Sequence, residues 1–127
     1  MDTSVLAGGI VLVLAAWFLY SRMTPVKGLK SLDEEQFRSA LEQTRGLLVD
    51  VREPHEYKSG HIPGAKNIPL SGLSQKMSEL PKDRDIFLYC RSGMRSSQAA
   101  KLLGRAGFTK LSHLKGGINI WRGKTKK

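Results

Sequence analysis

Cysteine is nearly absent: the 127 residues contain one, Cys90. A lone cysteine excludes an intrachain disulfide, so a hydrophobic core must hold the domain together, which suits a reducing compartment. With only three histidines, widely separated, the chain also lacks the ligand spacing of a zinc site, and no metal or cofactor is expected. Acidic residues are scarce too, 11 against 21 lysines and arginines, for a formal net charge of +10. The cations form no helical stripe and are not interleaved with aromatic residues, so the sequence is read as not binding nucleic acid.

Charge is missing altogether from residues 3–21. As a helix this stretch spans about 28 Å, near the thickness of a bilayer's hydrocarbon, and Trp17 and Tyr20 sit at its end. Asp2 stands where a cleaved signal has its basic start, and Trp17, Phe18, Leu19 and Tyr20 where it has small residues. The expectation is an uncleaved membrane anchor over 3–21. Arg22, Lys27 and Lys30 follow it closely, which places the remainder on the cytoplasmic side. A linker over 22–30, a folded domain over 31–123 and a basic tail over 124–127 complete the expected organisation.

Within the domain, Asp33 to Gln36 offers a capping box, followed by apolar residues at helical spacing and an end at Gly46. Leu47–Val51 reads as a buried strand, Pro54–Ser59 as a helical turn, and Ala65–Ile68 as a short strand. Ser71–Leu80 reads as an amphipathic helix, Ile86–Tyr89 as a strand, and Ser96–Ala106 as a helix ended by Gly107. Lys110–Leu114 reads as a last strand and Gly117–Trp121 as a final turn. Strands alternating with helices predict an α/β fold with a mainly parallel sheet covered on both faces, where ligands bind at the strands' C-terminal ends.

Cys90 stands at such an end. The strand runs into Arg91-Ser92-Gly93-Met94-Arg95, and a helix follows. The positive end of that helix and the two guanidiniums favour a thiolate, the nucleophilic form. The N–H groups of Ser92, Gly93, Met94 and Arg95 can converge on one anion if the loop curls, and Gly93 supplies the backbone freedom for it.

These residues resemble the rhodanese family of sulfurtransferases in three stretches. Residues 48–53 with Glu56-Tyr57 and 60–69 are similar to its first signature, residues 89–96 to its active-site loop, and 114–118 with Trp121 to its closing segment. The resemblance covers residues ~30 to 123 and implies a rhodanese-like fold. It further implies that Cys90 takes a sulfane sulfur from a small sulfur-containing anion such as thiosulfate, forming a persulfide. A thiol or cyanide-like acceptor, or a protein, would then receive that sulfur. Arg91 and Arg95 would attract the donor and stabilise departing sulfite.

Asp50 and Arg52, at a neighbouring strand end, are expected in support, Asp50 orienting loop amides or pairing with Arg95. His61 is read as stitching a turn, and His55 and His113 are given no role. Gly116, Gly117 and Trp121 are read as packing. A membrane-tethered sulfur carrier or partner-docking module is the alternative. A cysteine phosphatase or arsenate reductase fits less well, because Cys90 to Arg95 is one residue shorter than the Cys-x5-Arg loop those enzymes use.

Overall fold

The computed structural model describes residues 3–23 and 28–127. Five strands, β1 (Leu29–Leu32), β2 (Leu47–Asp50), β3 (Lys66–Asn67), β4 (Ile86–Tyr89) and β5 (Leu111–Leu114), form one sheet in the order β1-β5-β4-β2-β3. Every pairing is parallel, with Leu88 opposite Val49 on one side and His113 on the other. The central β4 is buried at all four positions, as a strand covered on both faces must be.

Its period-2 alternation sorts the core into two layers. Ile86, Leu88 and Cys90 face Ala99, Ala100 and Leu103 of helix α5 (Met94–Arg105) and Leu73 of the short helix α4 (Leu73–Lys76). Phe87 and Tyr89 face Phe37 of helix α2 (Glu34–Thr44), together with Leu48, Ile62 and Leu114. Phe37 meets Phe87 edge-on at 5.5 Å, an arrangement worth about 1 kcal/mol beyond burial.

The capping box at Asp33 forms as the sequence predicts, its carboxylate accepting from the Gln36 amide at 2.8 Å. Helix α3 (Pro54–Ser59) likewise occupies the expected turn. Gly46 does something different from ending α2. Arg45 is the left-handed cap, and a Cβ on Gly46 would lie 2.2 Å from the Phe87 ring, so glycine is required for close packing.

Four expectations change. Residues 71–80 make 3-10 turns at Leu70–Gly72 and Met77–Glu79 around a single α turn, not one helix. Leu29 and Lys30 belong to β1, which pairs with β5; they are not linker, and residues 24–27 of that linker lie outside the described residues. The tail also pairs back, His61 and Lys126 exchanging backbone hydrogen bonds of 2.9 and 2.8 Å.

The fourth correction concerns the membrane. Helix α1 (Thr3–Met23) forms, but among the described residues no helix is long and apolar enough to cross a membrane. The anchor over 3–21, the single-pass topology and the cytoplasmic placement inferred from it are withdrawn.

Candidate functional site

Strand β4 ends at Tyr89 and places Cys90 at the C-terminal edge of the sheet, between its two neighbours β2 and β5. The cysteine is free and only 1% exposed. Its Sγ accepts the Gly93 amide at 3.0 Å, so the loop closes over the sulfur. Gly93 makes this possible with φ 104°, in the left-handed region that a side chain would strain. As N-cap of α5, Gly93 offers no side-chain acceptor to the amides of the helix's first turn. Those N–H groups and the helix dipole remain directed at the loop, an environment suited to a thiolate or a sulfur-bound anion.

The root of the loop is pinned from below. Ile118 donates its amide to the Cys90 carbonyl at 2.9 Å, and Asn119 to the Arg91 carbonyl at 3.1 Å. Because a trans peptide directs its N–H opposite to its C=O, the amides of Arg91 and Ser92 are turned away from that 3-10 turn (Gly117–Ile120). A Cβ on Gly117 would lie 2.4 Å from the Arg91 oxygen and 2.5 Å from that of Cys90. Glycine at 117 therefore sets the loop's position, a role beyond the packing expected of it.

Arg91, Ser92 and Met94 are exposed on the rim, with Met94 72% exposed. Arg95 is half-buried and forms a two-pronged pair with Glu56 of α3, at 2.6 and 2.9 Å. That pairing lowers the Glu56 carboxyl to about 2 and raises Arg95, chiefly through the same hydrogen bonds. The expected Asp50–Arg95 contact is thus corrected: Glu56 takes the place given to Asp50.

Asp50, fully buried, instead accepts from the Arg52 backbone at 2.9 Å and from its guanidinium at 2.8 to 3.1 Å. Arg52 also donates to the Gly60 carbonyl at 2.7 Å. Burial opposes the charge on Arg52, but Asp50 outweighs it and raises the group. Neither residue bonds to a loop amide. They brace the β2–α3 connection, and the Arg52 guanidinium lies 5.8 Å from the centre of the Tyr89 ring, one residue before the thiol. Burial, then the Asp50 charge, raises the Tyr89 phenol, which stays neutral and accepts the Ile62 amide at 3.0 Å.

Two further residues reach the sulfur side of the loop. Ser96 Oγ lies 3.6 Å from Cys90 Sγ, and His113 Nδ1 lies 2.8 Å from that same Oγ. His113 had no role in the sequence reading, because nothing in a linear pattern shows that β5 sets it beside α5. His61 behaves as expected, its ring stacked on Tyr57 at 3.7 Å and its Nδ1 2.9 Å from the Tyr57 carbonyl oxygen. No cluster of potential metal ligands occurs among the described residues.

The profile of the rhodanese-like domain matches residues 33–124. An uncharacterized protein of Bacillus subtilis, YqhL, is 41% identical over 120 residues, covering 92% of this chain and 94% of its own length. A protein of Allochromatium vinosum named sulfurtransferase is 43% identical over 94 residues, 73% of this chain and 88% of its own. Among solved structures, the rhodanese-like domain of the Anabaena protein Alr3790 is 37% identical, with a TM-score of 0.68 over 76% of this chain and 77% of that one.

Proposed function

The chain belongs to the rhodanese-like family, and from that premise we propose that it is a sulfurtransferase working through a persulfide on Cys90. In the first half-reaction the Cys90 thiolate attacks the outer sulfur of thiosulfate. The donor's S–S bond breaks and sulfite departs with the electron pair, leaving Cys90 as a persulfide. In the second, a thiophilic acceptor such as cyanide or a thiolate attacks the outer sulfur, and the Cys90 thiolate is regenerated. Splitting the transfer into two displacements gives ping-pong kinetics.

The observation that carries this reading is the sulfur at the floor of a closed loop, 3.0 Å from the Gly93 amide, below the uncapped start of α5. An outer sulfur bearing negative charge would meet backbone N–H groups there. Arg91, exposed at the rim, attracts the anionic donor, and its guanidinium can hold sulfite by two hydrogen bonds. Arg95 is already engaged with Glu56, so it acts as a fixed positive charge beside the loop.

The test is mass spectrometry after thiosulfate treatment. A gain of one sulfur atom is expected on the peptide containing Cys90, reversed by cyanide with release of thiocyanate. Cys90→Ser should take up none while melting at the same temperature, since oxygen for sulfur is a small change in volume. Appreciable transfer by Cys90→Ser would overturn the mechanism. Uptake without repeated turnover would instead mark a sulfur carrier.

A further inference from the structure

Beneath the loop a continuous line of polar side chains runs from the sulfur to the surface. Cys90 Sγ is 3.6 Å from Ser96 Oγ, Ser96 Oγ is 2.8 Å from His113 Nδ1, and His113 Nε2 is 2.9 Å from Ser31 Oγ on β1. Ser96 is fully buried, His113 is 7% exposed, and Ser31 is exposed. Ser31 and His113 both line an open hollow of about 860 Å³ beside the loop. Four residues from four separate segments thus connect a buried thiol to solvent.

We propose that Ser96, His113 and Ser31 form a proton relay that withdraws the Cys90 proton and delivers it to the hollow. The inference rests on the sulfurtransferase reading above, because it supplies the thiolate that the first displacement consumes.

The protons balance as follows. In the resting thiol, Sγ–H donates to Ser96 Oγ, Ser96 Oγ–H donates to His113 Nδ1, and Nε2–H donates to Ser31. On ionisation the thiol proton passes to Oγ while the Ser96 proton passes to Nδ1. Ser96 then donates to a thiolate, and an imidazolium donates to Ser96. Burial lowers the His113 ring's affinity for a proton, so Nε2–H releases its own through Ser31. The Ser96 hydroxyl has an alternative acceptor in the Gly93 carbonyl at 3.1 Å, which holds its oxygen in place whichever way the proton points.

The charges near the relay favour outward release. Lys101 of α5 and Lys115 after β5 line the same hollow, and among the described residues no carboxylate does. Arg95 of α5 faces away, toward Glu56. From β1 the ring meets Ser31, and through Ser96 it reaches Cys90 at the end of β4. Among the described residues lining the hollow, no negative charge retains a proton.

The single cysteine makes the test direct, because thiolate absorbance in the ultraviolet, read against Cys90→Ser, reports that sulfur alone. In the full chain, Ser96→Ala and His113→Asn should each slow the appearance of thiolate after a pH jump about tenfold, since a relay that ends with a neutral ring governs how fast the proton leaves and not where the equilibrium lies. Asparagine keeps a hydrogen bond to Ser96 but carries no proton, so a merely structural histidine would tolerate it. His113→Ala should lose the same tenfold and recover it with added imidazole, which the enlarged hollow admits.

Unchanged rates in Ser96→Ala and His113→Asn would overturn the relay, and so would a slowing in Ser96→Ala alone. Should His113→Asn fail to fold, rescue of His113→Ala by imidazole decides. If the wild type ionises at the expected rate but never gains a sulfur atom, the sulfurtransferase reading fails while the relay stands.

Discussion

At the scale of single residues, the site is organised by pairs that exclude one another. Glu56 occupies both arms of the Arg95 guanidinium, and Asp50 is consumed by Arg52. The carboxyl of Glu56 sits at about 2 in the fold against an ordinary 4.5. A lowered acid contributes stability that is complete above pH 4.5 and disappears as pH falls through 2. Glu56→Gln should therefore flatten the fall of the urea midpoint between those values. The cost at neutral pH is about 1–2 kcal/mol, held down because Arg95 is a third exposed and screened. Freed from Glu56, Arg95 should also raise the KM for thiosulfate, because its guanidinium loses its fixed aim. A urea midpoint with the same pH slope in the variant would show that the pair contributes nothing.

At the scale of elements, the loop depends on two glycines for different reasons, and substitution separates them. Gly117→Ala drives a methyl into the Arg91 and Cys90 carbonyls, and should cost about 2–3 kcal/mol while moving the loop and reducing sulfur uptake. Gly93→Ala meets nothing nearer than 3.5 Å, so its cost is backbone strain at positive φ, about 1 kcal/mol. Thermal melting alongside sulfur loading checks both, and equal losses would mean that contact distance does not matter here.

The contrast marks the reach of the sequence. Alternating strands and helices, the Asp33 cap and the Cys90 loop were legible because each is a local pattern over a few residues. Glu56 opposite Arg95, His113 behind Ser96 and Gly117 beneath Arg91 were not, since each contact joins segments 17 to 39 residues apart or a backbone approach that leaves no side-chain signal. Strand β1 escaped notice for a related reason: Leu29-Lys30-Ser31-Leu32 is short and half polar, and only pairing with β5 identifies it. The span over 3–21 failed differently. Its length and freedom from charge were legible, yet among the described residues no helix is long and apolar enough to cross a membrane.

At the scale of the whole molecule, α1 lies outside the span that the family profile matches. The family profile begins at residue 33, beyond α1, and the described side chains of α1 are exposed. Neither core cluster contains a described residue of α1. A chain lacking residues 1–23 should therefore keep its melting temperature and its sulfur uptake, measured by thermal unfolding and mass spectrometry. Failure of that chain to fold would place α1 in the folding unit.

The dependence of the loop on later segments has a consequence for biosynthesis. Residues 90–95 are made before β5, before His113, and before the turn whose amides hold the Cys90 and Arg91 carbonyls. A nascent chain that has just exposed its cysteine owns none of these supports, and domains assemble only as their pieces emerge. Ribosome-bound chains halted ahead of Gly117 should carry an idle thiol. The surroundings of the thiol are assembled only once residues 117–119 have emerged.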